Sequence, residues 1–340
     1  MKSVLVLAAR AAGAVLVQGV LALGLVVQGV LVEDAAAETY PSRPITVIVA
    51  ASAGGPTDTI ARIVTERMAA ALGGATVVVE NVGGASGTIG TGRVARSPAD
   101  GYTLGIGGWN HYVVNAGIYP NLNHDLFGDF APVAQLAAGP QIILSKKDVP
   151  ATNLKELIAW LKSQPGPTMA TGGVGAPGHV SGLTFQDKIG VKFQFVPYRG
   201  SAPGLKDVVA GHLDTMIEQT SGALPQIRAG TVKAYAVTSP TRLAVLPDLP
   251  TTEEAGLPGF QVSVWQGMWA PKGTPKEVLE KLGAAVREAL ADPKVKARYA
   301  EIAQEIPPAA HQTPDGFTAY HKAEMDKWLP VIKAANITPN

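Results

Sequence analysis

The chain has 340 residues, 46 % of them hydrophobic and 16 % charged, with a formal net charge of +1. Globular chains average about 25 % charged residues, so this composition excludes disordered, coiled-coil and histone-like classes, and leaves no net field to hold a nucleic acid. Cysteine is absent, which excludes disulfide scaffolds, iron–sulfur clusters, thiol catalysis and a lipid-modified N-terminal cysteine.

Lys2 and Arg10 precede an uncharged apolar run over residues 11–32, and Ala35, Ala36 and Ala37 form an A-x-A site before Glu38. A basic start, an apolar middle and a small-residue exit predict an export signal over residues 1–37, removed after Ala37. The run is longer than an ordinary signal core, so a retained anchor is the alternative.

Residues 45–50 (ITVIVA) read as a buried strand and 51–56 as a small-residue loop. Apolar residues at Ile60, Ile63, Val64, Met68, Ala71 and Leu72 predict a helix from Thr57, closed by Gly73 and Gly74. A strand over 75–80, a glycine loop over 81–87, a helix reaching about Arg96 and a strand over 102–106 follow. The pattern restarts with strands at 141–145, 168–171, 193–196, 213–217 and 232–237. Helices at 153–162, 179–188, 204–210 and 223–229 alternate with them. A strand over 262–269 leads to a helix with the apolar face Val278, Leu279, Leu282, Val286 and Leu290, and a long helix spans 314 to about 334. This alternation predicts an α/β fold of two units, each a mostly parallel sheet flanked by helices. No flexible linker separates the units, so a ligand is expected in the cleft where strand ends meet helix N-termini.

Ser52, Ala53, Gly54, Gly55, Thr57 and Asp58 lie on one such strand-to-helix joint. Free N–H groups and a partial positive charge there suit a carboxylate. Glycine permits close approach, and Pro56 fits a first helical turn. The same residues would equally make a tight turn capped by Thr57 or Asp58. Asp58 would repel a carboxylate, so it is expected to bind loop N–H groups or a water. Ala85, Ser86 and Gly87 belong to a second glycine loop, near the ligand or packing helix on strand.

Residues 172–178 contain a literal GxGxxG at Gly173, Gly175 and Gly178. A dinucleotide site needs an acid about 20 positions on, and 191–197 (VKFQFVP) has none. Thr171, Gly172, Gly173 and Gly175 therefore read as a second anion-binding loop facing the first. Tyr198, Arg199 and Gly200 form a further joint, with Arg199 either a carboxylate partner or a surface residue. Trp109, beside Asn110, and Tyr198 could flank an aromatic ring, although buried aromatics more often form core. His179, at a helix start, is a ligand contact or a structural histidine. No G-x-S-x-G or HExxH occurs, and the six histidines lack metal-ligand spacing. No catalytic centre, metal or cofactor is expected.

Further landmarks are Tyr-Pro-Ser-Arg-Pro-Ile at 40–45, Gly-Gly-Pro-Thr-Asp at 54–58, Gly-Ala-Ser-Gly-Thr-Ile-Gly at 84–90 and Pro-Ala-Asp-Gly-Tyr-Thr-Leu at 98–104. Asp-Phe-Ala-Pro-Val at 129–133, Pro-Tyr-Arg-Gly-Ser-Ala-Pro at 197–203, Leu-Pro-Thr-Thr-Glu at 249–253, Ala-Pro at 270–271 and Gly-Thr-Pro at 273–275 complete the series. In this order and spacing, from Pro41 to about Ile332, the chain resembles the Bug family of periplasmic solute-binding proteins, receptors of tripartite tricarboxylate transporters. The resemblance implies a two-lobed, type II-like periplasmic binding protein that closes on a small organic carboxylate. Residues 38–135 with 262–340 would form one lobe and 136–261 the other. It implies a periplasmic, monomeric receptor, not an enzyme, whose partners are the ligand and the membrane carrier subunits. Candidate ligands are citrate-like acids, C4-dicarboxylates, nicotinate-like acids and aromatic dicarboxylates such as terephthalate. Two departures from the family pattern, Trp109 for a small residue and Ala176 for a serine, point toward the aromatic acids. A periplasmic α/β enzyme would need a nucleophile–base pair that the sequence lacks; a sensor accessory would differ only in its partner.

Overall fold

In the computed structural model, residues 40–119, 121–334 and 337 are described. The export segment expected at residues 1–37 lies outside the described residues. No described helix is long and apolar enough to cross a membrane.

Two sets of strands share one long member. β1 (Ile45–Val49), β2 (Val77–Asn81) and β3 (Thr103–Gly108) are parallel, in the order β2-β1-β3. β5 (Thr168–Thr171), β6 (Gln194–Pro197) and β7 (Thr215–Gln219) are parallel, in the order β7-β5-β6. Between the sets run β4 (Phe130–Lys146) and β9 (Ser263–Pro271), antiparallel to each other. β9 also pairs antiparallel with β3, and β4 with β7 and with β8 (Val232–Val237). The β4 partners change at one point: Phe130 to Pro140 face β9, and Gln141 to Lys146 face β7 and β8. The sheets are therefore mixed, parallel in their outer strands and antiparallel where the chain crosses between lobes.

β4 is the main departure from the sequence reading, which expected a strand only at 141–145. Its first half, FAPVAQLAAGP, is rich in Ala, Gly and Pro and has weak strand preference. Pairing with β9 imposes the strand, with register shifts beside Pro132 and Gln135 absorbing the misfit. β7 begins two residues later than expected, because Leu213 is buried in the turn before it and not in the strand.

The helices follow the apolar periodicity. They are α1 (Pro56–Ala71), α2 (Thr88–Ala95), α3 (Asn115–Ile118), α4 (Leu154–Ser163), α5 (Pro177–Ile189), α6 (Ser201–Val209), α7 (Thr220–Arg228), α8 (Lys276–Ala291), α9 (Pro293–Glu301) and α10 (Pro314–Ala334). α9 and the π-helical turn Asn110–Val114 leading into α3 were not anticipated.

That turn is built on an aromatic stack. The Tyr112 ring lies 3.6 Å from that of Trp269, nearly parallel, with Phe130 edge-on at 5.0 Å. A Cβ on Gly107 would sit 2.7 Å from the Tyr112 ring, and one on Gly267 only 2.2 Å from that of Phe317. Glycine in β3 and β9 thus lets rings lie flat on the sheet. The anchored Tyr112 fixes its neighbours Asn110 and His111 at the edge of the interlobe cleft. The other lobe has its own core of Ile143, Leu157, Met169, Phe185, Ile217 and Phe260.

Candidate ligand-binding cleft

Four helices begin at the cleft. The residues preceding their first turns are Gly55 (α1), Ala176 (α5), Gly200 (α6) and Gln219 (α7), and none makes a side-chain cap. All four line a narrow space between the lobes, partly open to solvent. Uncapped helix N-termini present free N–H groups and positive dipole ends. No Lys or Arg lines this space among the described residues. The cleft is therefore polarised for an anion by backbone groups and not by formal cations.

Of the residues singled out from sequence, Ser52, Gly55, Thr57, Asn110, Gly172 and Gly200 line the cleft. Ala53, Gly54, Asp58, Ala85, Ser86, Gly87, Thr171, Gly173, Gly175 and His179 do not line it, and several of them shape the loops. Asp58 is buried and accepts from the Gly54 N–H (2.8 Å), Arg62 Nε (3.0 Å) and Asn81 Nδ2 (2.9 Å). Burial alone would raise its pKa, but these donors hold it below the ordinary carboxylate value. It binds the loop N–H that the electrostatics demanded. His179 Nδ1 accepts from the Gly175 N–H at 3.1 Å, and its ring meets Phe195 edge-on. Burial pushes its pKa down to about 4, so the ring is neutral and carries its proton on Nε2.

Ser86 joins the lobes. Its hydroxyl donates to the Val174 carbonyl at 2.6 Å, and its own carbonyl accepts from Asn115 Nδ2 at 2.9 Å. The facing loops touch closely: a Cβ on Gly200 would lie 2.3 Å from Ser52 Oγ, and one on Gly173 3.2 Å from Ser86 Oγ. Gly200 (φ 112°) and Gly173 (φ 121°) also have backbones that other residues rarely adopt.

Three expectations are corrected. Trp109 is buried against Trp328 of α10, ring centres 4.9 Å apart, and does not line the cleft. Tyr198 donates its hydroxyl to Asp207 and packs on Gly204, away from the cleft. Arg199 is exposed and outside the lining. An aromatic clamp made by Trp109 and Tyr198 is absent, because the core under α10 and the first turns of α6 claim the two rings.

The sequence reading missed His111, Gln141, Ser201, Glu218 and Gln219, which all line the cleft. His111 Nδ1 accepts from the Gly108 N–H at 2.8 Å, and burial lowers its pKa to about 4, leaving a neutral ring with a proton on Nε2. Glu218 and Gln219 end a strand that runs straight into a helix with no glycine between, so the glycine signal that marked the other loops was missing. The strand-to-helix joint itself was the available cue.

A family model described as the tripartite tricarboxylate transporter family receptor, TctC, matches residues 60–337. A protein from the TAR-I ttuE-ttuC' intergenic region of Agrobacterium vitis is 40 % identical over 304 residues, 88 % of this chain and 86 % of its own length. Among solved structures, the periplasmic binding protein BugD is 39 % identical at a TM-score of 0.84, covering 88 % of this chain and 100 % of its own. MatC from Rhodopseudomonas palustris, with malate bound, is 36 % identical at 0.81, covering 86 % and 100 %. An R. palustris protein with adipate is 33 % identical at 0.83, covering 88 % and 100 %. The two-lobed fold, the anion-polarised cleft and these likenesses agree: the chain belongs to the TctC family of tripartite tricarboxylate transporter receptors, which are solute-binding proteins of the Bug type and not enzymes.

Proposed function

We propose that this receptor captures a small organic dicarboxylate in the interlobe cleft and presents it to membrane carrier subunits of a tripartite transporter. The carrying observation is the convergence of four uncapped helix N-termini on a space without a formal cation. One ligand carboxylate would take N–H groups from loops 52–57 and 172–178, with Asn110, His111 and Ser201 as side-chain donors. Residues 38–135 with 262–340 act as one lobe and 136–261 as the other, hinged through β4 and the segment between β8 and β9. The chain works in the periplasm after loss of residues 1–37; an intact mass of periplasmic material that retains them would refute this.

Malate and adipate, bound by the two related structures, set the expected size of the ligand. An aromatic acid such as terephthalate now rests on Ala176 alone, since Trp109 and Tyr198 leave the cleft. A thermal-shift screen with malate, adipate, succinate, citrate, nicotinate and terephthalate tests the reading. A ligand at 100 times its Kd adds about 2.7 kcal/mol. Stabilisation by none of these acids would overturn it, and competition of terephthalate against adipate decides between aromatic and aliphatic acids.

A further inference from the structure

Glu218 ends β7, and its carboxyl group separates two spaces. It lines the cleft and also an outer groove bounded by α1, α6, α7 and α9. The residue is 3 % exposed. The Gln219 N–H donates to Oε1 at 2.8 Å, whereas Oε2 is buried without a hydrogen-bond partner among the described residues. An ionised carboxylate left in this way is costly, while a protonated one turns the idle oxygen into a donor.

No cation meets it inside the cleft. His111, the other titratable residue lining that space, is neutral. β4 contributes Gln141, α5 Pro177 and Gly178, α6 Ser201, and α7 Ser221, none of them charged. Lys206 of α6 and Arg298 of α9 face only the outer groove and are exposed, and Arg298 is paired with Glu301 at 2.6 Å. An anionic ligand and an ionised Glu218 would compete for the same helix N-termini. Like charges sharing one site drive one of them to bind a proton.

We infer that capture of a carboxylate takes up one proton on Glu218, whose O–H then donates to the bound ligand. The proton comes from solvent and no covalent bond to carbon changes. This rests on the carboxylate reading above. Burial, which pushes Glu218 up to about 7 in the free protein, puts the coupling in the neutral range and away from the low titrations of His111 and His179.

Titration calorimetry of the purified protein with malate, adipate and terephthalate at pH 6, 7 and 8 tests this, using the tightest of the three. With only the protonated form competent, the apparent Kd weakens about tenfold from pH 6 to pH 8. Repeating pH 8 in buffers of different ionisation enthalpy should count close to one proton taken up. Glu218→Gln keeps a neutral donor and should bind equally at pH 6 and 8. A wild-type Kd that is flat or tightens with pH overturns the inference and leaves the carboxylate reading standing. So does a Glu218→Gln protein that keeps the wild-type slope. Should that variant fail to fold, the proton count on the unmodified protein decides. Stabilisation by none of the six screened acids, with the screen repeated at pH 6, 7 and 8, removes both readings.

Discussion

Loops 52–58 and 172–179 carry a strand into a helix on opposite sides of the cleft, and their backbones follow one plan. Each has a left-handed glycine, Gly54 at φ 74° and Gly175 at φ 78°. A small extended residue follows, then a proline opening the helix. The third helical residue reaches back four positions to accept the glycine N–H: Asp58 from Gly54, His179 from Gly175. The clasps differ in charge. Asp58 is anionic, favoured by the helix N-terminus and offset by the half-exposed Arg62. His179 is neutral, because burial expels the charge. One geometry is thus secured by a buried ion paired with a half-exposed arginine and by an uncharged ring.

Removing the clasps should show the largest effect. His179→Ala leaves the Gly175 N–H unpaired in a buried site and opens a cavity, for a loss of about 3 kcal/mol. Asp58→Ala should cost about 1–2 kcal/mol, since water can reach Arg62 and partly replace the pair. Chemical denaturation of both variants checks this, and equal losses would break the distinction.

Acid should part the loops next. The His179 pKa is depressed from 6.5 to about 4 in the fold. Its contribution is therefore complete above 6.5 and lost as pH falls toward 4, about 2 kcal/mol by pH 5. His111 titrates with the same sign. Asp58, lowered from 3.8, keeps its contribution until pH drops below that value. Hydrogen exchange at pH 5, corrected for intrinsic rates, should show the Gly175 amide losing protection relative to pH 7 while the Gly54 amide keeps it. Joint loss would place the acid-sensitive element elsewhere.

The glycines should separate least. Gly54→Ala carries only the left-handed penalty, about 1 kcal/mol, because nothing lies within 4 Å of its added Cβ. Gly175→Ala adds a contact 2.6 Å from Ile118 Cδ1, so it should lose about 2 kcal/mol in all. Thermal melts of the two single variants measure the gap; a Gly54→Ala loss at least as large as that of Gly175→Ala would contradict the packing.

Much of the architecture was legible because it rests on local periodicity. Strands 168–171 and 232–237 and the helix over 314–334 match the structure at both ends. The glycine loops were legible too, since left-handed positions such as Gly54, Gly173, Gly175 and Gly200 favour glycine. Trp109 was misjudged because an aromatic residue beside a strand end carries no local mark of which way it turns; Trp328, 219 positions away, draws it inward. Glu218 went unseen for the opposite reason, as a single acid on a buried strand has no pattern.

What the sequence determined by itself is the alternation of strands and helices and the family, both carried by short-range spacing. What only the tertiary structure decided is which of those joints face one another. The antiparallel crossing of β4 and β9 brings α1, α5, α6 and α7 to one cleft, although their first residues lie more than 160 positions apart at the extremes. It also strips water from Glu218, His111 and His179, and so sets their protonation. Burial and long-range pairing are properties of the folded packing, and no local run of residues encodes them.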